Sequence, residues 1–389
     1  MAQILRRVAV SGLGLTLAAF FAFAGTASAQ ETAPMADTEP MTVNMHTAEQ
    51  HAVTVGGTVE VLFGSSDHAD GVDGMDRTIF SRINVNYDKT LDSGLQIAAR
   101  ISYGLNGRNS PTYVDIDDPS NTNNAGKLVL PRTDHGGAPD VLFMTIGGGF
   151  GTISVGAHPG ATCSLMPRPV AFTQTLNWIH HLQFAGIAYE NLLLQEPQYC
   201  ATPESVSYAS PAMGGLKAMV TYAPNANANQ ALSLKDAVKN NDKVSEDLIN
   251  AAASWSSSMG GADISLGAGL NNSSGADGVE TMTVAGTIGL GGITVGASYF
   301  NHDHSDSTGY TLGAKYSLGP LTPGIVYAVE EYDAADAKFA QESGLVIGAS
   351  YAVGGGMLGF LEYMKIEKDG RTSASDEDTL LIGGLRLDF

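Results

Sequence analysis

The sequence predicts an all-β protein: a transmembrane antiparallel β-barrel of about sixteen strands whose long third loop folds into the lumen. Three observations support this fold class. From residue 53 onward, apolar and polar side chains alternate within segments of about ten residues. The connections between these segments are short and long in strict alternation. No stretch after residue 29 reaches the roughly 20 apolar residues that a transmembrane helix needs.

Residues 1–29 form a secretory signal peptide and lie outside the fold. Arg6 and Arg7 supply a basic start, an apolar run follows over residues 8–24, and residues 27–29 (Ala-Ser-Ala) form a small-residue cleavage site. The alternative is an N-terminal membrane anchor, and both the cleavage site and the polar stretch behind it argue against that.

A polar segment precedes the barrel. Residues 30–52 lack periodicity and are rich in Glu, Thr, Ala and Met, so we expect them to form a flexible periplasmic segment. The barrel is then expected to occupy residues 53–389.

The mature chain is strongly acidic. Removing the two basic residues of the signal peptide from the 20 in the chain leaves 18 against 40 acidic residues, a formal charge of −22. A nucleic-acid-binding surface needs a basic footprint, so this charge argues against a nucleic acid as a partner. It favours a surface that attracts cations.

Alternation assigns the two faces of each strand. In residues 77–87, one face carries Ile79, Ile83, Val85 and Tyr87, and the other carries Thr78, Arg82, Asn84 and Asn86. A slip of one residue would turn every side chain over, so repeated parity fixes which face meets lipid. The predicted strands lie near residues 53–63, 77–87, 94–103, 139–147, 150–157, 203–210, 214–223, 248–258, 261–271, 279–289, 291–301, 309–318, 321–331, 343–352, 356–367 and 379–389.

The connections and the aromatic residues support a membrane barrel over a soluble β-sandwich. Short turns on one side and long loops on the other are typical of outer-membrane barrels. Aromatic residues on the apolar parity are expected to form girdles at the two interfaces. They are Tyr87, Tyr103, Tyr222, Trp255, Tyr299, Tyr310, Tyr316, Tyr327, Tyr351 and Tyr363. The last strand ends on Phe389, similar to the C-terminal signal of bacterial outer-membrane proteins.

With these strands, the long third loop and the terminal Phe, the chain resembles a general bacterial porin, most closely the alphaproteobacterial type. The segment VLFMTIGGGFGTISVGAHPG (141–160) is similar to the family hairpin that leads into the third loop. The resemblance implies a homotrimer in the outer membrane and a third loop folded into each barrel as a constriction. It also implies acidic loop residues facing a basic cluster on the wall. The chain lacks the common PEFGG-like loop motif, which leaves the pore size open.

The constriction loop is expected to span residues 158–203. It is apolar and irregular, and it holds both cysteines of the chain, Cys163 and Cys200. In an exported protein these two are predicted to form a disulfide. Two unpaired thiols are the alternative.

Parity also predicts the residues that line the pore. Arg82, Arg100 and Lys217 are basic residues expected to face the lumen, and Glu60 is an acidic one. Arg82 and Arg100 lie on neighbouring strands and are expected to face Glu190 and Glu196 of the loop, creating a transverse field. The alternative is a set of solvated rim charges without a role in selectivity.

Four acidic residues recur at every third position in the first long loop: Asp67, Asp70, Asp73 and Asp76. Several carboxylate oxygens close together suit Ca²⁺, although the spacing is not that of an EF-hand. A solvated acidic loop is the simpler interpretation. No other cofactor is indicated.

These observations favour a channel for passive diffusion of ions and small hydrophilic solutes, with a preference for cations. The expected surroundings are outer-membrane lipid and lipopolysaccharide. A substrate-selective porin is one alternative, although no clear aromatic slide or basic ladder is present. An outer-membrane barrel enzyme is the other. No catalytic constellation is evident in the sequence, so we expect a protein that is not an enzyme.

Overall fold

The computed structural model describes residues 51–67, 75–104, 112–115, 127–130, 141–174, 203–225, 245–275, 280–303, 307–333, 339–370 and 376–389. Sixteen strands of this part close into one antiparallel barrel, in which β1 pairs with both β2 and β18. Within the same residues, no helix is long and apolar enough to span a membrane.

The elements follow one another in chain order. The strands are β1 His51–Asp67, β2 Met75–Thr90, β3 Gln96–Gly104, β4 Thr112–Asp115, β5 Lys127–Leu130, β6 Val141–Gly148, β7 Gly151–Ala157, β8 Glu204–Ala209, β9 Leu216–Asn225, β10 Ser245–Met259, β11 Ala262–Gly275, β12 Glu280–Leu290, β13 Ile293–His302, β14 Ser307–Tyr316, β15 Leu321–Tyr332, β16 Phe339–Gly354, β17 Met357–Gly370 and β18 Asp376–Asp388. Between β7 and β8 lie a short helix, α1 (Ala161–Leu165), and a 3₁₀ turn (Pro169–Phe172).

The predicted barrel is confirmed, with one strand at each of the sixteen predicted positions. Several strands run further toward the long loops than predicted, as in β16, which begins at Phe339. The four added residues, Phe-Ala-Gln-Glu, do not alternate in polarity, so the pattern is lost although the hydrogen-bonded ladder continues. The pair β4 and β5 forms a separate two-stranded sheet that was not predicted.

The two faces of the barrel wall follow the predicted parity. On β1, Val59, Val61 and Phe63 are exposed on the outside, whereas Glu60 and Leu62 are buried on the inside. Outward tyrosines are also exposed as expected, namely Tyr103, Tyr222, Tyr299, Tyr310, Tyr316, Tyr327, Tyr351 and Tyr363. The outside is therefore apolar and aromatic, as a lipid-facing wall must be.

The C-terminus closes the barrel. Gly57 donates its N–H to the carbonyl of Phe389 at 2.7 Å, and Phe389 donates back to Gly57 at 2.9 Å. A Cβ on Gly57 would lie 2.7 Å from Cζ of the Phe389 ring, so glycine is needed where the terminal ring packs. The terminal Phe thus joins the two ends of the sheet.

Candidate functional site

The third loop begins with a buried cluster of polar side chains at the end of β7. His158 is buried, and its Nε2 lies 3.1 Å from Ser205 Oγ and 3.2 Å from Ser207 Oγ of β8. Ser207 Oγ is also 2.7 Å from Thr221 Oγ1 of β9, and the His158 ring meets Phe143 edge-on. These contacts fix the direction in which the chain departs from the wall.

A second anchor holds helix α1 against the inner faces of β10 and β11. Thr162 donates its N–H to Asn250 Oδ1 at 2.8 Å, and Asn250 Nδ2 donates to Thr162 Oγ1 at 2.8 Å. Asn250 Nδ2 also donates to Asn271 Oδ1. All three side chains are buried, so the bonds satisfy groups that would otherwise be costly to bury.

Beyond α1 the loop lies along a row of inward glycines on β11, β13, β14 and β15. This glycine track consists of Gly267, Gly269, Gly296, Gly313 and Gly324. A Cβ on Gly267 would lie 2.6 Å from Pro167 Cδ, and one on Gly313 would lie 2.9 Å from Phe172 Cδ2. Because real Cβ atoms do not approach so closely, the backbone of the loop can reach the wall only where side chains are missing.

The far end of the described loop reaches β17. Gln174 donates its N–H to Glu362 Oε1 at 2.6 Å, and Glu362 is buried. Just before it, Lys315 of β14 places its Nζ 5.1 Å from the centroid of the Phe172 ring, within the range of a cation–π contact. Residues 158–174 therefore cross the inner wall from β7 to β17.

The inner wall beside this end is apolar, which is unusual for a water-filled barrel. Val170 and Phe172 of the loop pack with a buried cluster from β1 and β15–β18. Its members are Leu62, Val326, Ala328, Val346, Phe360, Met364, Ile366, Leu380 and Ile382. These apolar side chains can face inward because the apolar loop covers them and keeps them from water.

The opposite part of the inner wall, on β1–β3, is polar and open. We call it the open wall and define it by Thr54, Arg82, Asn84, Asn86 and Arg100. Arg100 is exposed and the other four are partly exposed. Asn86 Nδ2 donates to Thr54 Oγ1 at 3.3 Å. These inward side chains are therefore at least partly open to the lumen, although Arg82 Nε and Asn84 Oδ1 are themselves buried.

Arg82 and Arg100 share this face, as predicted, but they are not cross-strand partners. Arg100 pairs with Asn86, four residues along β2 from Arg82. Four residues of strand correspond to about 13 Å, so the two charges act at different depths of the lumen. The Arg82 guanidinium lies 5.4 Å from the Phe80 ring centroid.

Glu60 lies on the inner face of β1 and is buried, where it pairs in register with Arg386 of β18. Next to it, Arg386 Nε is 2.9 Å from Asp388 Oδ2, and Thr58 donates to Asp388 Oδ1 at 2.6 Å. The sequence predicted that Glu60 faces the lumen, but it did not show that these charges join the two end strands of the chain.

The remaining predicted pore residues are spread out. Lys217 is exposed on the inner face of β9, near the turn that precedes it and away from the open wall. Cys163 lies in α1 and is partly buried. Glu190, Glu196 and Cys200 lie outside the described residues, so the transverse field and the disulfide stay predictions.

Only two of the four aspartates of the first long loop lie within the described residues. Asp67 ends β1 and Asp76 lies in β2, whereas Asp70 and Asp73 fall in residues 68–74, outside them. Within the described ranges, no three His, Cys, Asp or Glu residues lie close enough together to hold a metal ion. The calcium hypothesis stays a prediction.

Neither the glycine track nor the Asn250–Asn271 pair was predicted from the sequence. A signal was present, since glycines recur at inward positions of strands where polar residues were expected. Glycine within a strand often marks a place where another backbone approaches.

Comparisons with known proteins agree with this geometry. A family model described as Gram-negative porin matches residues 14–371. An anion-selective porin from Comamonas acidovorans superimposes with a TM-score of 0.57 at 14% identity, covering 87% of this chain and 100% of that one. OmpT of Vibrio cholerae, in its trimer form, gives a TM-score of 0.55 at 14% identity, covering 88% and 100%. A variant of the Rh. blastica porin gives 0.53 at 16% identity, covering 87% and 100%. No curated protein sequence matches significantly.

These superpositions show a shared barrel fold, and the family model covers most of the chain. The closed barrel and its apolar outer face place the protein in the bacterial outer membrane as an integral β-barrel. The chain belongs to the Gram-negative porin family.

Proposed function

We propose that this porin lets ions and small hydrophilic solutes diffuse passively across the outer membrane and that it prefers cations. The observation that carries the proposal is the division of the inner wall. The loop is hydrogen-bonded to β10 and β17, whereas the side chains of the open wall on β1–β3 stay at least partly exposed. A sixteen-stranded barrel is wide enough to hold an aqueous channel beside such a loop.

The preference for cations rests on the formal charge of the mature chain, −22. A negative potential at the channel mouths raises the local concentration of cations and lowers that of anions. The resemblance in fold to an anion-selective porin does not bear on this preference, because barrels of one fold carry different charges.

Trimer formation belongs to the same proposal. A structural neighbour is a trimer, and a trimer would cover part of the exposed apolar outer face of the barrel. Lipopolysaccharide and phospholipid would cover the rest of the outer face.

Recordings in a planar bilayer test the function directly. Stepwise conductance is expected, with a reversal potential under a salt gradient that indicates cation preference at low salt. The preference should weaken near 1 M salt, where the Debye length falls to about 3 Å. A reversal potential showing anion preference at low salt would contradict the selectivity. Hydrolysis of a lipid or peptide without conductance would contradict the channel.

A further inference from the structure

One ionisable side chain holds the start of the constriction loop against the barrel wall. His158 is the first residue of the loop after β7, and only 3% of it is exposed. Its Nδ1 lies 2.9 Å from the carbonyl oxygen of Pro159. Because a carbonyl can only accept, Nδ1 carries a hydrogen. In an uncharged ring, Nε2 is then the acceptor for the hydroxyls of Ser205 and Ser207, which lie 3.1 Å and 3.2 Å away.

The hydroxyls around Nε2 can reverse their hydrogen bonds. If Nε2 gains a hydrogen, Ser205 can accept it and donate to the carbonyl oxygen of Gly156, which is 3.4 Å away. Ser207 can likewise accept and donate to Thr221 Oγ1 at 2.7 Å. Protonation therefore leaves no hydrogen-bonding group without a partner here, and its cost is the burial of a positive charge.

The strands that pack against His158 supply no negative charge to offset this cost. β6 contributes Phe143, whose ring meets the imidazole edge-on with the centroids 5.5 Å apart. Arg100 of β3 is the in-register partner of Phe143, and Lys217 lies further along the inner face of β9. Glu204 of β8 alternates with the inward serines and therefore points to the outer face. The inward charges on these strands are thus positive.

The described part of the loop adds no counter-charge either. Residues 159–174 contain one charged residue, Arg168, and it is also positive. Burial lowers the pKa of the His158 imidazole below its ordinary value of 6.5. The uncharged ring therefore stabilises the attached loop fully above about pH 6.5, and this contribution is lost as the pH falls toward the lowered pKa.

We propose that His158 is a pH-sensitive anchor of the constriction loop: when its ring is protonated, the start of the loop detaches from β8 and β9. A ring that leaves the wall meets water, which solvates its charge far better than buried hydroxyls do. Further along, the described loop remains hydrogen-bonded to Asn250 and Glu362, so its start moves while its far part stays in the barrel. The consequence for the current rests on the proposed channel function, whereas the movement of the loop does not.

Hydrogen exchange tests the movement without relying on conductance. Exchange of peptides from residues 158–174 is measured by mass spectrometry in detergent at about pH 7.5 and about pH 5.5, on either side of the ordinary histidine pKa. The rates are corrected for the intrinsic pH dependence of exchange. Because detachment takes up one proton, the corrected rate in wild type should rise by up to about tenfold for each pH unit below about 6.5.

Two glutamine variants assign the response to one ring. His158→Gln offers an acceptor that never becomes charged, so its corrected exchange should not change between the two pH values. His302→Gln is the matched control, because His302 also contacts a hydroxyl, that of Thr281 at 2.7 Å, and meets Phe300 edge-on. It lies at the end of β13 instead of the start of the loop, so this variant should respond like wild type. His158→Asn, which is uncharged as well, takes the place of His158→Gln if that variant does not assemble.

Bilayer recordings give the second readout. The open-channel current of wild type and of His302→Gln should fluctuate more at the lower pH, whereas that of His158→Gln should be equally quiet at both. Corrected exchange in wild type that does not rise at the lower pH would overturn the proposal, and so would an equal rise in His158→Gln. A rise in exchange that His158→Gln abolishes, in a protein that conducts at neither pH, would support the anchor and contradict the channel function.

Discussion

The two sides of the lumen are built from the same alternating strands, yet they differ in composition and exposure. On the open wall of β1–β3, inward positions carry arginine and asparagine, and these side chains are at least partly exposed. On the covered wall of β10–β15, inward positions carry glycine, buried threonine and asparagine, and small apolar residues. The difference follows from the loop, because a wall that meets a backbone needs small residues at the points of contact, whereas a wall that faces the open lumen does not.

The largest expected effect comes from filling the glycine track. Gly313→Val places side-chain atoms where Phe172 and the carbonyl of Pro169 now lie. Overpacking of this kind costs up to about 3 kcal/mol, and displacement of the loop should change the single-channel conductance. Urea unfolding in detergent and bilayer recordings measure the two effects.

Gly289→Val is the matched control for this substitution. Gly289 is also an inward glycine, on β12, but its nearest contact for a Cβ is at an ordinary 3.6 Å. It should leave the conductance and the free energy of unfolding nearly unchanged. Equal effects of the two variants would show that the loop does not depend on the track.

Replacing one asparagine by alanine on each wall tests whether the two walls differ in stability. Asn250→Ala deprives the buried N–H of Thr162 of its acceptor, which should lower the free energy of unfolding by about 1–2 kcal/mol and make the current noisier. Asn86→Ala removes a 3.3 Å bond on the open wall, where water replaces it. If Asn86→Ala is as destabilising as Asn250→Ala, the division into wet and covered walls is wrong.

Charge on the open wall should alter selectivity without altering stability. Replacing Arg82 and Arg100 by glutamine removes two positive charges from the water-facing side, so the local potential becomes more negative and cation preference rises. Substitutions at water-exposed positions usually change the free energy of unfolding by no more than about 0.5 kcal/mol. The reversal potential under a salt gradient gives the result, and an unchanged value would place both arginines away from the constriction.

The smallest effect is expected at the cysteines. Labelling of the denatured, unreduced protein should find no free thiol, since we predict a bond between Cys163 and Cys200. The bond would close a loop of 37 residues (200 minus 163), nominally worth roughly 4 kcal/mol in the chain-entropy model, but the ladder hydrogen bonds of the barrel should make this gain nearly irrelevant to global unfolding. The double serine variant should nonetheless assemble as a heat-resistant barrel, because the ladder bonds hold the wall. Its current should be noisier than that of wild type.

Alternation in the sequence was enough to predict the number of strands and their faces, because period-two patterning reports which side meets lipid. The loop that enters the lumen was predicted from its apolar, irregular sequence and from the family resemblance. It did not distinguish a wet inner wall from a covered one. Gly296, Gly313 and Asn250 occupy inward positions for the sake of a loop far away in sequence. Register was also out of reach, so Arg82 and Arg100 were expected closer together than β2 and β3 place them.

The division of the lumen is tested most directly by cysteine accessibility. Arg100→Cys on the open wall and Thr311→Cys on the covered wall are made in a background without Cys163 and Cys200. A charged methanethiosulfonate reagent added during bilayer recording should rapidly change the current of the Arg100→Cys channel. Thr311, which is fully buried, should give a channel that does not respond. Equal rates of modification at the two positions, or faster modification at Thr311→Cys, would contradict the account.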